Sequence, residues 1–167
     1  MRTTRKTVAA LAAAALVGTL GAGAAQASAP SAAPAPSACR PANHTATIKA
    51  DHPSAGHQHY RVTLSTPKGY ASCTLSGSPT GVAFFAHGKR IDVTAGHYGD
   101  QRAKAVLRPG HPVHFDIQVP DLGRTTRADG ASFTLRTPGG TVPGQSSVDG
   151  GFAVARGTLV GPVQPGA

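Results

Sequence analysis

His111-Pro112-Val113-His114-Phe115-Asp116-Ile117-Gln118-Val119 alternates apolar with polar side chains. Val113, Phe115, Ile117 and Val119 fall on one side, His114, Asp116 and Gln118 on the other. A period of two puts successive side chains on opposite faces of an extended backbone, so this is a strand with one face in a core and one in water. Just upstream, Arg108-Pro109-Gly110 reads as a turn and Ala103 to Leu107 as the strand before it. Proline sets the first turn dihedral and glycine accepts the left-handed one.

The same pattern recurs along the chain. In Gln58 to Thr66, Tyr60, Val62 and Leu64 oppose His59, Arg61 and Thr63, and after Pro67-Lys68-Gly69 the set Ala71, Cys73, Leu75 repeats it. Val82 to Ala86 is turned back by His87-Gly88-Lys89 into Arg90 to Val93, a hairpin with Gly88 in the left-handed conformation. Thr45 to Ala50, Ala131 to Leu135 and Phe152 to Leu159 complete about eight strands. Gly at 21 and Pro at 14 residues punctuate them, glutamate is absent, and no 3.6-residue periodicity appears beyond the N-terminal segment. The expected fold is all-β, an immunoglobulin-like two-sheet antiparallel sandwich with a small barrel as runner-up. There is no Trp for the buried position of antibody domains, and the sheet order stays open.

Arg2, Arg5 and Lys6 precede an apolar stretch from Val8 to about Gly23 and then Ala25-Gln26-Ala27-Ser28. These are the three parts of a signal peptide cleaved after Ala27. The apolar run is short of the roughly 20 residues that a membrane span needs. Residues 28–37 form a Ser/Ala/Pro leader read as disordered, 38–163 the β-sandwich domain and 164–167 a C-terminal tail. Cys39 lies too far from the apolar segment, with Pro36 before it, to be read as a lipidation site. In an oxidising compartment Cys39 and Cys73 are expected to form an intramolecular disulfide, closing a loop of about 35 residues and contributing about 3 to 4 kcal/mol. The expected localisation is secreted and extracellular.

The sequence has 16 Lys+Arg against 7 Asp+Glu, a formal net charge of +9. Without Arg2, Arg5 and Lys6, 13 bases remain against seven acids, a net charge of +6. A basic exported protein is drawn to anionic surfaces. Its bases are nevertheless spread singly, with Lys89-Arg90 the one adjacent pair after the signal peptide, and no aromatics stand beside them to stack nucleobases.

Certain residues carry a resemblance. Cys39 opens the domain, His59-Tyr60-Arg61-Val62-Thr63-Leu64 forms a strand, and Cys73-Thr74-Leu75-Ser76-Gly77-Ser78-Pro79 follows. Further on stand Ala105-Val106-Leu107-Arg108-Pro109-Gly110-His111 and the alternating strand. Over about Cys39 to Val163 the chain resembles the secreted actinobacterial family catalogued as domain of unknown function 4232. There a Cys-Thr-Leu-x-Gly-x-Pro segment and a Leu-x-Pro-Gly turn recur. The resemblance implies an immunoglobulin-like extracytoplasmic domain and no activity. Asp149-Gly150-Gly151-Phe152 stands where members often carry a further cysteine, and Ser78 where an aromatic is frequent.

No catalytic constellation stands out. There is no Gly-x-Ser-x-Gly elbow, and Gly144-Gln145-Ser146-Ser147 lacks its closing glycine, which leaves Ser146 a loop serine. A disulfide leaves no thiolate nucleophile, and the aspartates offer no evident pair. The expected function is a non-catalytic binding module, monomeric and without cofactor, for a protein or cell-envelope polymer. Nucleic acid and a membrane span are not expected. The alternative is copper or zinc binding through His52, His57 and His59, with Asp51 in place of His52 as the other choice of third ligand, because His57 and His59 share a strand face.

Overall fold

The computed structural model describes residues 33–167. The expected signal peptide and the first part of the expected leader lie outside the described residues. Strands form where the alternation is clearest and end at the Gly and Pro punctuation. In chain order they are β1 (Thr45–Ser54), β2 (His57–Ser65), β3 (Cys73–Ser76), β4 (Thr80–Ala86), β5 (Lys89–Ile91), β6 (Gly96–His97) and β7 (Lys104–Leu107). Then follow β8 (Val113–Pro120), β9 (Thr125–Thr134), β10 (Arg136–Thr137), β11 (Gly140–Thr141), β12 (Ser146–Ala155), β13 (Leu159–Val160) and β14 (Gln164–Pro165). One short 3-10 turn, Pro41–Asn43, precedes β1.

The fold is all-β, with several antiparallel sheets in a sandwich-like arrangement. One sheet has the order β1-β2-β8-β13-β6, with β14 also on β8, and a second has the order β12-β9-β4-β5. β3 pairs with β7 and β10 with β11 in two small ladders. Among the described residues the parallel pairings are β13 with β6 and the isolated bridge of Ser37 with Ala71. The strands exceed the expected eight, because short pairings such as β13 and β14 carry too few residues to show a period. β9 starts six residues before Ala131 and β12 six before Phe152. Their outer halves are Thr/Arg/Asp-rich or broken by glycine, which hides the alternation.

Register explains the core. β2 meets β8 with Val62 opposite Phe115, Leu64 opposite Val113 and Tyr60 opposite Ile117. All six are buried, each contributing roughly 1.5–3 kcal/mol by burial. Aromatic rings join the two sheets: Tyr60 of β2 lies 5.7 Å from Phe152 of β12, and Phe115 of β8 packs edge-on against Phe133 of β9 at 5.0 Å. β12 bulges between Asp149 and Phe152, and there Gly150 lies so close beneath Ile48 of β1 that a Cβ would stand 2.5 Å from its Cγ2.

Cys39 and Cys73 are disulfide-bonded, with Cα atoms 5.9 Å apart, tying the chain ahead of β1 to β3. Order starts before the cysteine: Ala71 N–H donates to Pro36 O at 3.0 Å and Ala38 N–H to Ala71 O at 2.8 Å. The end of the leader is thus paired. So is the C-terminal tail, where Gln164 and Pro165 lie against His114 and Val113.

Candidate binding groove

Lys104-Ala105-Val106-Leu107-Arg108 continues the period of two through β7. Ala105 and Leu107 are buried, so Lys104, Val106 and Arg108 form one outward row. Val106 is 47% exposed and is one of two large exposed apolar side chains among the described residues, Leu122 being the other. The row forms one bank of an open groove of about 590 Å³, with Ser72, His111 and Pro165 among its other lining residues. Among the described residues no acidic side chain lines it. Neither Lys104 nor Arg108 takes part in any ion pair found among the described residues.

The end of the groove is set by the turn. His111 N–H donates to Arg108 O at 2.9 Å across Pro109-Gly110, with Gly110 at φ +76°. This closes a tight turn that holds Arg108 and His111 side by side.

The outer face of the β1-β2-β8 sheet is a second polar surface. Arg61 sits at its centre, opposite Lys49 on β1 and Asp116 on β8. Its guanidinium reaches Asp51 at 2.6 Å and Asp116 at 3.4 Å. Bonds from the His52 backbone and side chain, helped by the Arg61 charge, hold the Asp51 carboxyl below its usual range. Tyr98 borders this face, and burial together with the Asp116 charge pushes its phenol up to about 12.

His57 and His59 lie two apart on β2, as expected, but their ring nitrogens take different partners. His57 Nδ1 donates to Ala55 O at 3.0 Å, and His59 Nε2 bonds the Ser54 hydroxyl at 3.0 Å. His52 projects into solvent with Nδ1 3.1 Å from Asp51 Oδ1. Among the described residues no three His, Cys or Asp side chains are gathered in a set that would hold a metal ion.

Sequence reasoning missed one buried pair. His44 Nδ1 donates to Ala38 O at 3.0 Å, which leaves Nε2 to accept from the Ser146 hydroxyl at 2.9 Å. Both residues are buried. Desolvation holds the His44 pKa down, against the hydrogen bonds its ring makes to the backbone of Ala38 and Arg40, which raise it. The nucleophile–base contact of a hydrolase is present in outline, but a backbone carbonyl stands where a carboxylate would orient the ring.

A family model described as Domain of unknown function (DUF4232) matches residues 39–164. The chain belongs to that family. No curated protein and no solved structure matches the chain significantly.

Within this DUF4232 domain the two motifs have visible structural work. Gly77 N–H donates to Ala103 O at 2.9 Å and Val163 N–H to Gly77 O at 3.0 Å, so the first motif crosses between β7 and the C-terminal strands. Ser78 is fully buried and donates to Val160 O at 2.9 Å, while Gln101 Nε2 donates to the Ser78 hydroxyl at 2.9 Å. A hydroxyl thus satisfies buried carbonyl and amide groups at this crossing. The second motif, Leu107-Arg108-Pro109-Gly110, builds the end of the groove. Among the described residues no helix is long and apolar enough to cross a membrane.

Proposed function

We propose that this is an exported, non-catalytic binding module that holds a protein or cell-envelope polymer in the groove beside β7. The observation that carries the reading is the outward row Lys104-Val106-Arg108, which combines an exposed apolar side chain with two unpaired cations beside an open groove. Such a mixture suits a partner with apolar and polar parts. The His44–Ser146 pair is assigned to structure, because it is buried and lines none of the surface pockets described. The disulfide supports an oxidising compartment outside the cytoplasm.

Binding is tested by co-sedimentation of the purified protein with envelopes of its own cells, comparing wild type with Val106→Asp. Retention that the variant loses, with its unfolding midpoint unchanged, is the expected result; equal retention of both would remove the groove from the account. Export is tested by mass spectrometry of protein from culture medium. A chain beginning at Ser28 and lighter by two hydrogens is expected, whereas a chain found in the cells with its first 27 residues intact would contradict it.

A further inference from the structure

We propose that the groove beside β7 binds a polymer of repeating phosphate groups, an inference that rests on the binding-module reading and names its ligand class. Lys104 and Arg108 are two strand periods apart, so both point out of the same face, and the turn at Pro109-Gly110 places His111 beside Arg108. Three nitrogen-bearing side chains therefore line one groove, and among the described residues no carboxylate lines it. Arg61 shows the opposite case, a surface cation flanked by the carboxylates of Asp51 and Asp116.

Phosphate fits this set better than carboxylate. Lys104 and Arg108 stand about 13 Å apart along the extended chain, so each can take a different phosphate of a repeating polymer, and charge-assisted bonds of this kind are the stronger ones. The groove is open rather than closed, so a long chain can lie along it with phosphates repeating past the cations. A membrane surface is the poorer occupant. Val106 is the one exposed apolar group at the site, whereas interfacial binding needs several.

The test titrates the protein, processed as its own cells make it, with inorganic polyphosphate of defined length, following binding by calorimetry from low to high salt. Saturable binding that weakens with salt is expected. Lys104→Glu with Arg108→Glu should weaken it at least about tenfold and lower the salt slope by about 2. Lys89→Glu with Arg90→Glu makes the same charge change on the β4–β5 hairpin and should leave affinity within about twofold. Should the reversal unfold the domain, Lys104→Gln with Arg108→Gln replaces it. Equal losses in the two double variants would overturn the groove assignment in favour of bulk charge. Groove-dependent binding to vesicles rich in anionic phospholipid, without binding to polyphosphate, would overturn the polymer. Absent polyphosphate binding alongside Val106-dependent envelope retention would sink the phosphate ligand and leave the binding module standing.

Discussion

Gly77 and Gly110 both hold left-handed backbone, at φ +64° and +76°, yet their surroundings differ. A Cβ at Gly110 meets nothing within 4 Å, while one at Gly77 would stand 2.6 Å from the Gln101 carbonyl oxygen. Gly110→Ala should therefore cost about 1 kcal/mol, the conformational penalty alone, and Gly77→Ala at least about 2 kcal/mol. Urea midpoints with unchanged slopes measure both. His44 adds a pH dependence. Its folded pKa lies below its unfolded value, so the folded state binds fewer protons and its contribution is full above about pH 6.5. Stability should fall as pH drops from there through the folded pKa, by at most about 1.4 kcal/mol per pH unit. In His44→Gln that decline between pH 7 and 5 should vanish, with any acid loss below pH 4 retained. A decline of equal size in the variant would assign it to other groups.

At the scale of elements, the disulfide and the sheets govern stability. Replacing Cys39 and Cys73 together by Ala should lower the unfolding free energy by about 3 to 4 kcal/mol, since the 34-residue separation no longer restricts the unfolded chain. Denaturant titration of oxidised protein and double variant measures the difference; a change under about 1 kcal/mol would mean the native geometry cancels the entropic gain. The legible strands were those with a strict period of two under a buried face. β8 and β2 were read from Val113 to Val119 and Tyr60 to Leu64 because water on one face forces the alternation. The first half of β12 escaped because Gly150-Gly151 has no side chains to alternate, and its reason for being there, the approach of Ile48, is a contact between strands a hundred residues apart. The groove escaped for a related reason. Lys104 and Arg108 look scattered in sequence, and only the extended backbone, which turns every second residue the same way, gathers them. His44 and Ser146 are 102 residues apart, and no local pattern marks a partner at that distance.

For the whole molecule, the excess of basic over acidic residues is unevenly spent. Arg61 is consumed by an internal ion network across β1, β2 and β8, while the β7 row stays available, so the net charge of the domain is a weaker guide to binding than where the carboxylates stand. The clamp between Cys39 and Cys73 also sets how the domain would bear tension. A pull applied through the leader first meets the pairing of Pro36 and Ala38 with Ala71, and then a covalent bond that passes the load directly to β3. The hairpin of β1 and β2 lies wholly inside the closed loop, so it is bypassed and cannot be peeled away strand by strand. Stretched between its two ends, the oxidised domain should lengthen by roughly 115 Å less than the reduced one, the reach of the 34 residues that the bond takes out of the load path.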